Sequence, residues 1–273
     1  MFDSPNRRFQ QRDQNKSFRI AICSIVSSQE AYIDEWVDYH LGLGLSNIYL
    51  FDASDDFWMR QWGNETSSSV PVEVVHYPGN LADIAFISEA YTECLDRYQY
   101  ESDAFALMEV NDFFMPPRKL GLDAIHDMLK TESSSVYKIP RVLFGHDDQY
   151  VYDPLPVTKR FQLRVEDDNA PSMYPVLLVS AVSLHTNTKV RDILERSLFN
   201  YLLFGTWTSR YHSLSTASSE LLAYHYIRSI KECKKQRGAD SKFCNLAGNV
   251  TDTSAWERMQ RTTPSYSGFN NFL

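Results

Sequence analysis

Short apolar runs alternate with amphipathic stretches through the first half of this chain. Residues 18–26 read Phe-Arg-Ile-Ala-Ile-Cys-Ser-Ile-Val, and a near-unbroken apolar run of that length predicts a strand buried on both faces. Ser27-Ser-Gln-Glu30 follows with the spacing of a capping box, a hydroxyl and then a Glu three residues on. Ile33, Trp36, Val37, His40 and Leu41 then recur at helical spacing, with Asp34, Glu35 and Asp38 largely off that stripe. Gly42 and Gly44 end the helix. Residues 47–51 form a second apolar run that closes on Asp52-Ala-Ser-Asp-Asp56. Strand, helix and strand in this order predict a β-α-β unit with parallel strands.

Residues 57–70 read as a loop, and 72–77 alternate like a third strand. Over 82–98, Ile84, Ile87, Tyr91, Leu95 and Tyr98 share one helical stripe. The apolar run 104–108 predicts another buried strand, and Glu109-Val-Asn-Asp-Phe-Phe114 follows it directly. Met115-Pro-Pro117 breaks the chain before a short helix over 122–130.

The second half is less regular. Residues 135–144 and 157–165 read as strands on either side of the Gly145-His-Asp-Asp148 turn, the second with alternating Lys159, Arg160 and Arg164. Residues 171–182 read as loop then strand, 190–204 fit helix or strand, 220–226 a strand, and 228–237 a helix stopped by Gly238. The pattern divides the chain into a disordered lead-in (1–17), one α/β domain (18–240) and a surface-wrapping tail (241–273).

Composition narrows the function classes. With 273 residues, 43% of them hydrophobic, the chain can bury a sizeable core. Its net charge of −8 and the lack of a basic stripe argue against a nucleic-acid partner. No apolar run approaches the roughly 20 residues of a membrane span, and the N-terminus carries no apolar signal core. None of the four cysteines forms a C-x-x-C pair, which disfavours structural zinc. Cys23 and Cys94 read as core, and Cys233 and Cys244 can pair in an oxidising compartment. Sequons stand at Asn15, Asn64 and Asn249.

The acidic hexad is the main chemical signal. Strands buried in an open α/β sheet deliver ligands at their carboxyl ends. Carboxylates there need compensation, and a divalent cation carrying a phosphorylated substrate is the usual one. A strand followed by a polar turn explains the hexad equally well.

Three blocks together resemble glycosyltransferase family 92 and its family 2-like relatives. The first runs from Ile22 to Asp56 and holds the Glu35-Trp36, Tyr39-His40 and Leu43-Gly44 pairs before a strand ending in Asp52. The second is Glu109-Val-Asn-Asp-Phe-Phe, where the family has Asp-x-Asp-Glu-Phe. The third is Tyr224-His-Tyr-Ile-Arg-Ser-Ile-Lys-Glu-Cys with Lys235 and Arg237-Gly238. Phe144-Gly145 and Arg160-Phe161 fall between them in the family's order, so the match spans roughly residues 19–240. Asp252-Thr-Ser-Ala-Trp256 and Pro264-Ser-Tyr266 look like tails of algal or protist members.

The resemblance implies a GT-A fold: a single Rossmann-like α/β domain with a mostly parallel central sheet flanked by helices. It implies a nucleotide-sugar donor, UDP-linked, a glycan acceptor, and inversion at the anomeric carbon. It also implies Mn²⁺ or Mg²⁺ on the Asp-x-Asp. By the same route Ser28, Glu30, Asp52 and Glu109 are donor-site candidates, and Glu109, Asn111 and His225 are metal candidates, with His212 the competitor of His225. An inverting transfer needs a carboxylate base, and Asp112, Asp147 and Asp148 are the candidates. Lys234, Lys235 and Arg228 read as a solvated face with phosphate contact as the alternative. Each donor-site residue has a structural reading beside the functional one: Glu30 as a capping residue, Asp52 as a turn cap.

Two departures matter, and the first is that Gln29 or Ser28 replaces the family's Asn before the first helix. In the second, Glu109-Val-Asn111 stands in place of Asp-x-Asp, so two formal charges become one and metal affinity falls. A catalytically silent domain that binds nucleotide or glycan is the alternative function. A nucleotidyltransferase is a third, but Ser27-Ser-Gln-Glu lacks the Gly-rich phosphate loop it needs. Family members of the galactosyltransferase type work in the secretory lumen, an expectation at odds with this N-terminus.

Overall fold

The computed structural model describes residues 18–27, 30–67, 69–81, 83–116, 122–131, 136–153, 155–165, 176–180, 214–216, 221–237 and 242–262. Strand β1 (Ile20–Val26) is buried at every position, as its apolar run requires. Helix α1 (Glu30–Gly42) returns the chain to β2 (Asn47–Asp52), which lies parallel to β1 in the register Ala21↔Asn47 to Val26↔Asp52. Helix α2 (Arg60–Thr66) leads to β3 (Val72–His76), parallel to β2. Helix α3 (Ile84–Tyr98) then crosses back to β4 (Ala104–Leu107), parallel to β1 on its other side.

Four parallel strands therefore stand in the order β3-β2-β1-β4. α1 contributes Tyr32, Ile33, Trp36 and Tyr39 to one core with Ile20 and Ile22, whereas α3 contributes Ala90, Tyr91 and Leu95 to another with Ala21 and Cys23. Alternation along β1 feeds the two faces, so the sheet is wound on both sides. The expected α/β fold with a mostly parallel central sheet is present.

Beyond β4 the pattern changes. Strand β5 (Asp112–Met115) opens a second sheet, and α4 (Asp123–Thr131) follows it. Strands β6 (Val136–Ile139) and β7 (Arg141–Phe144) are separated by Pro140 alone, yet β6 belongs to the first sheet and β7 to the second. The single strand predicted over 135–144 is thus two, because Pro140 cannot continue the ladder. Helix α5 (Val157–Arg160) and the short β8 (Leu163–Arg164) replace the strand predicted over 157–165. The alternating basic residues there are not a strand face: Arg160 is buried at the end of one helical turn.

Strands β9 (Val176–Ser180) and β10 (Leu214–Thr216) complete the seven-stranded sheet, β10-β6-β9-β4-β1-β2-β3. Strand β11 (Leu222–Tyr226) is followed by α6 (Ile230–Arg237), a 3-10 turn (Lys242–Asn245), β12 (Val250–Thr251) and α7 (Ser254–Thr262). The second sheet runs β12-β8-β7-β11-β5.

The residues 57–70 read as loop contain α2. Cys23 and Cys94 are more than separate core residues: they form a disulfide joining β1 to α3, and Cys233 and Cys244 form a second. Residues 190–204 and the lead-in 1–17 lie outside the described residues. No helix among the described residues is long and apolar enough to cross a membrane.

Candidate functional site

The strand order reverses between β1 and β4: two crossovers step outwards to β3 and the third returns across β1. Open α/β sheets bind ligands at such a reversal, outside the carboxyl ends of the strands. The chain leaving β4 there is Met108-Glu109-Val110-Asn111, which then becomes β5.

β5 is antiparallel to β11, and the register pairs His225 directly with Asp112. His225 Nδ1 lies 2.8 Å from Asp112 Oδ1, with both side chains fully buried. β11 pairs in parallel with β7, His225 facing Leu143. Arg141 lies two residues before Leu143 and so on the same sheet face. Its Nη2 donates to Asp112 Oδ2 and lies 3.4 Å from Glu109 Oε1. The backbone N–H of Glu109 also donates to Asp112 Oδ2, at 2.8 Å. Three adjacent strands thereby gather Glu109, Asp112, Arg141 and His225.

Charges in this cluster are set by burial and by one another. Burial alone raises the Asp112 carboxyl, but the Arg141 guanidinium and then His225 outweigh it and hold the group below its ordinary value. Burial pulls His225 down, with Asp112 opposing. A neutral His225 facing an ionised Asp112 donates from Nδ1, leaving Nε2 unprotonated. Burial lowers Arg141, but Asp112 and Glu109 reverse this and the net shift is upward. Asp112 and Arg141 are therefore a charged buried pair.

Helix α1 locks β5 in place. Trp36 Nε1–H donates to the Asp112 carbonyl at 2.7 Å, and the Tyr39 hydroxyl to that of Phe114 at 2.9 Å. The Phe114 N–H donates to His40 Nε2 at 3.2 Å, which makes His40 Nδ1–H the donor to the Trp36 carbonyl at 2.7 Å. A charged imidazolium has no acceptor nitrogen for Phe114, and burial pushes the His40 pKa down to about 3. Glu35, off the helical stripe, is buried too. It accepts the backbone N–H groups of Val157 and Thr158 at 2.6 and 3.0 Å and the Thr158 hydroxyl at 2.7 Å. The Glu35-Trp36 and Tyr39-His40 pairs of the sequence are thus docking residues.

The other candidates lie elsewhere. Asp52 is fully buried. Its Oδ1 accepts the Ser54 N–H and hydroxyl and its Oδ2 the Met59 N–H, so its described partners are those of a loop cap. Asp147 accepts the N–H groups of Gln162 and Leu163, and burial raises its carboxyl. Asp148 is exposed on the same turn. Asp147 and Asp148 both have positive φ, 45° and 57°. Gly145 starts that turn, and a Cβ there would stand 2.2 Å from the Gly248 backbone nitrogen. Asn111 is buried, and among the described residues its Oδ1 has no hydrogen-bond partner. Ser28, His212 and the side chains of Glu30 and Lys235 lie outside the described residues.

Besides Arg141, two more arginines were not anticipated as buried. Arg228, read as part of a solvated face, is 5% exposed and has φ of 72°. Its guanidinium lies 4.1 Å from the Tyr32 ring centroid. Tyr32 in turn donates to Glu232, which also accepts from Ser229. Arg160 Nη1 donates to the Asp153 carbonyl at 2.6 Å and Nε to Gln149 at 2.9 Å. The available signal was position: Arg228 follows an apolar strand directly, and Arg141 opens one.

The donor set suits a divalent cation poorly. Both Asp112 oxygens are engaged, and Glu109 already faces a guanidinium. Asn111 supplies one neutral oxygen. Among the described residues no group of three or more His, Cys, Asp and Glu is arranged to hold a metal ion.

No family model matches the chain. Over 120 residues, 44% of its length, it is 22% identical to a glycosyltransferase family 92 protein of Ricinus communis, and the match spans about a fifth (20%) of that protein. Among solved structures it is similar to S. aureus TarS 1-349 in complex with UDP, at 10% identity and a TM-score of 0.46, covering 93% of this chain and 75% of that one. It is also similar to glucosyl-3-phosphoglycerate synthase from Mycobacterium tuberculosis in complex with Mn²⁺, UDP-glucose and phosphoglyceric acid, at 14% identity and a TM-score of 0.37, covering 78% and 71%. A Bacillus anthracis protein described as a glucose-1-phosphate thymidylyltransferase matches at 10% identity and a TM-score of 0.38, covering 86% and 98%.

Proposed function

We propose that this chain is a glycosyltransferase that moves a hexose from a UDP-sugar to a glycan with inversion. The observation that carries this reading is the Glu109–Asp112 cluster at the carboxyl end of β4, where the strand order reverses. The likeness to a family 92 glycosyltransferase covers less than half the chain and supports the same class. The relatives named for UDP and UDP-glucose suggest the donor type.

In this reading the donor lies across the ends of β1 and β4 with its diphosphate beside the Glu109–Arg141 pair. Asp112 positions rather than reacts, because both of its oxygens are engaged and Arg141 and His225 hold it ionised. Asp52 shapes the loop that follows β2. The base falls to the Gly145 turn, and to Asp148 there, whose carboxylate is exposed while that of Asp147 is bonded to backbone N–H groups. The acceptor hydroxyl gives its proton to this carboxylate as its oxygen bonds the anomeric carbon, and the bond from that carbon to the diphosphate breaks.

A panel of UDP-sugars with glycan acceptors, read by UDP release, tests the proposal. Turnover lost in Asp148→Asn with UDP binding unchanged supports both the class and the base. No turnover of any sugar together with no nucleotide binding refutes it. The engaged state of Asp112 favours one second reading, a domain that binds nucleotide without transfer. Binding with no release across the panel selects that reading.

A further inference from the structure

We propose that this chain grips the diphosphate of its nucleotide with buried guanidiniums, Arg228 directly and Arg141 beside it, and needs no divalent cation to do so. The inference rests on the nucleotide-sugar reading above and adds the chemistry of the anion site.

Three observations carry it. First, the place where a cation would neutralise the acidic cluster is already taken. Arg141 bridges Glu109 and Asp112, and its side chain is only 6% exposed. A divalent ion seated between those carboxylates would have to evict a buried guanidinium or sit against it, and either leaves a buried charge without its partner.

Second, the buried donors are incomplete. Among the described residues Arg228 Nε and Nη2 have no hydrogen-bond partner, and neither do Arg141 Nε and Nη1. In Arg228 the two open nitrogens form a single edge of the guanidinium, the fork that takes two phosphate oxygens side by side. Its flat face is covered by Tyr32, so the edge is the part left to bind. Buried donors without acceptors cost free energy, and a ligand oxygen removes that cost.

Third, Arg228 is held in place at a cost. A positive φ is unusual for a side chain with a Cβ, and such residues persist where the surroundings enforce them, often at ligand sites. Here the surroundings are β11, which ends two residues earlier, and the Ser229–Glu232 contact that starts α6. The Tyr226 N–H, two residues before Arg228, donates to the Asn111 carbonyl at 3.0 Å, which brings the end of β11 against the chain that leaves β4 through Glu109. Burial pulls the Arg228 pKa down, and Tyr32, Glu232, Glu109 and Glu35 oppose it.

The test is calorimetric titration of the whole chain with UDP, and separately GDP, in EDTA and in Mn²⁺. The expected result is the same Kd within about threefold in both buffers. Arg228→Ala should weaken binding at least tenfold in both, as expected for losing a charged bidentate contact. Arg228→Lys should fall between, because it keeps the charge and loses the fork. Circular dichroism checks that each variant is folded, and if Arg228→Ala is not, the lysine variant and the wild-type metal response decide. Binding that tightens tenfold or more with Mn²⁺ and loses that gain in Glu109→Ala overturns the inference and leaves the glycosyltransferase reading standing. Metal-independent binding that Arg228→Ala and Arg228→Lys leave unchanged overturns the assignment of Arg228. Absence of nucleotide binding in either buffer overturns the reading itself, and the inference with it.

Discussion

Replacing Arg141 by Met should reveal how the acidic cluster is held. The wild-type Asp112 carboxylate, with no solvent exposure, receives hydrogen bonds from three groups: the Glu109 N–H, His225 and Arg141. Only Arg141 brings a full positive charge, since His225 is neutral. Removing one partner of a buried ion pair costs about 3–5 kcal/mol, a large part of the roughly 5–15 kcal/mol that holds a domain folded. Met fills much of the space, so the loss is electrostatic rather than a cavity. The sign against pH follows. In the wild type the Asp112 pKa is depressed, so its contribution is present above the unfolded value of 3.8 and is lost as pH falls through the folded value. Without Arg141, burial dominates and the folded pKa rises above 3.8. The variant's deficit is then largest at neutral pH and shrinks on acidification by about 1.4 kcal/mol per pH unit once Asp112 is protonated in the native state. Urea unfolding followed by tryptophan fluorescence at pH 7.5, 6.5 and 5.5 measures it. Asp112→Asn added to Arg141→Met should recover about 2 kcal/mol at pH 7.5, because the unpaired charge is gone. A deficit under about 1 kcal/mol, or one that does not vary with pH, refutes the charged pair.

Three further outcomes follow from the fold. Breaking the disulfide between Cys23 and Cys94 by Cys→Ala changes should cost about 4 kcal/mol in urea unfolding, against about 3 for Cys233–Cys244, because the closed segments span separations of 71 and 11; equal losses would contradict the loop-closure account. His40 should be neutral down to about pH 3, so its stabilisation is complete above pH 6.5 and declines below it; His40→Phe should lower stability at pH 7 and flatten the acid limb between pH 6 and 4.5, while NMR titration of His40 near pH 6.5 would refute this. Gly145→Ala should cost about 1–3 kcal/mol by pushing the turn away from Gly248, a shift in Tm that an unaltered thermal melt would rule out.

The parallel strands β1, β2 and β4 of the first sheet were legible because they obey one local rule. The runs before Val26, Asp52 and Leu107 are apolar on both faces, and the helices between them have clear stripes. The second sheet follows no such rule. Pro140 ends one strand and starts another, and the Val157–Arg160 turn depends on Glu35, more than a hundred residues away, for its backbone partners. Asp112 and His225 stood out as polar residues beside apolar strands, but their pairing is a matter of register, which no spacing reports. Arg141 and Arg228 were harder still: arginine normally keeps its head in water, and their burial comes from strands brought together by topology. The pairing of Cys23 with Cys94 is hidden for the same reason.

Pro140 has a consequence for how the molecule comes apart. A single residue separates the last ladder position of β6 from the first of β7, and its carbonyl accepts the Ala223 N–H of β11. The peptide that closes one sheet therefore indexes the other. Neither sheet can slip by a residue without dragging its neighbour, and slippage would carry Arg141 to the opposite face, away from Asp112. The two sheets thus behave as one cooperative block: the amides of β6 and those of β7 should exchange with solvent through the same opening event, at the same free energy, despite lying in separate ladders.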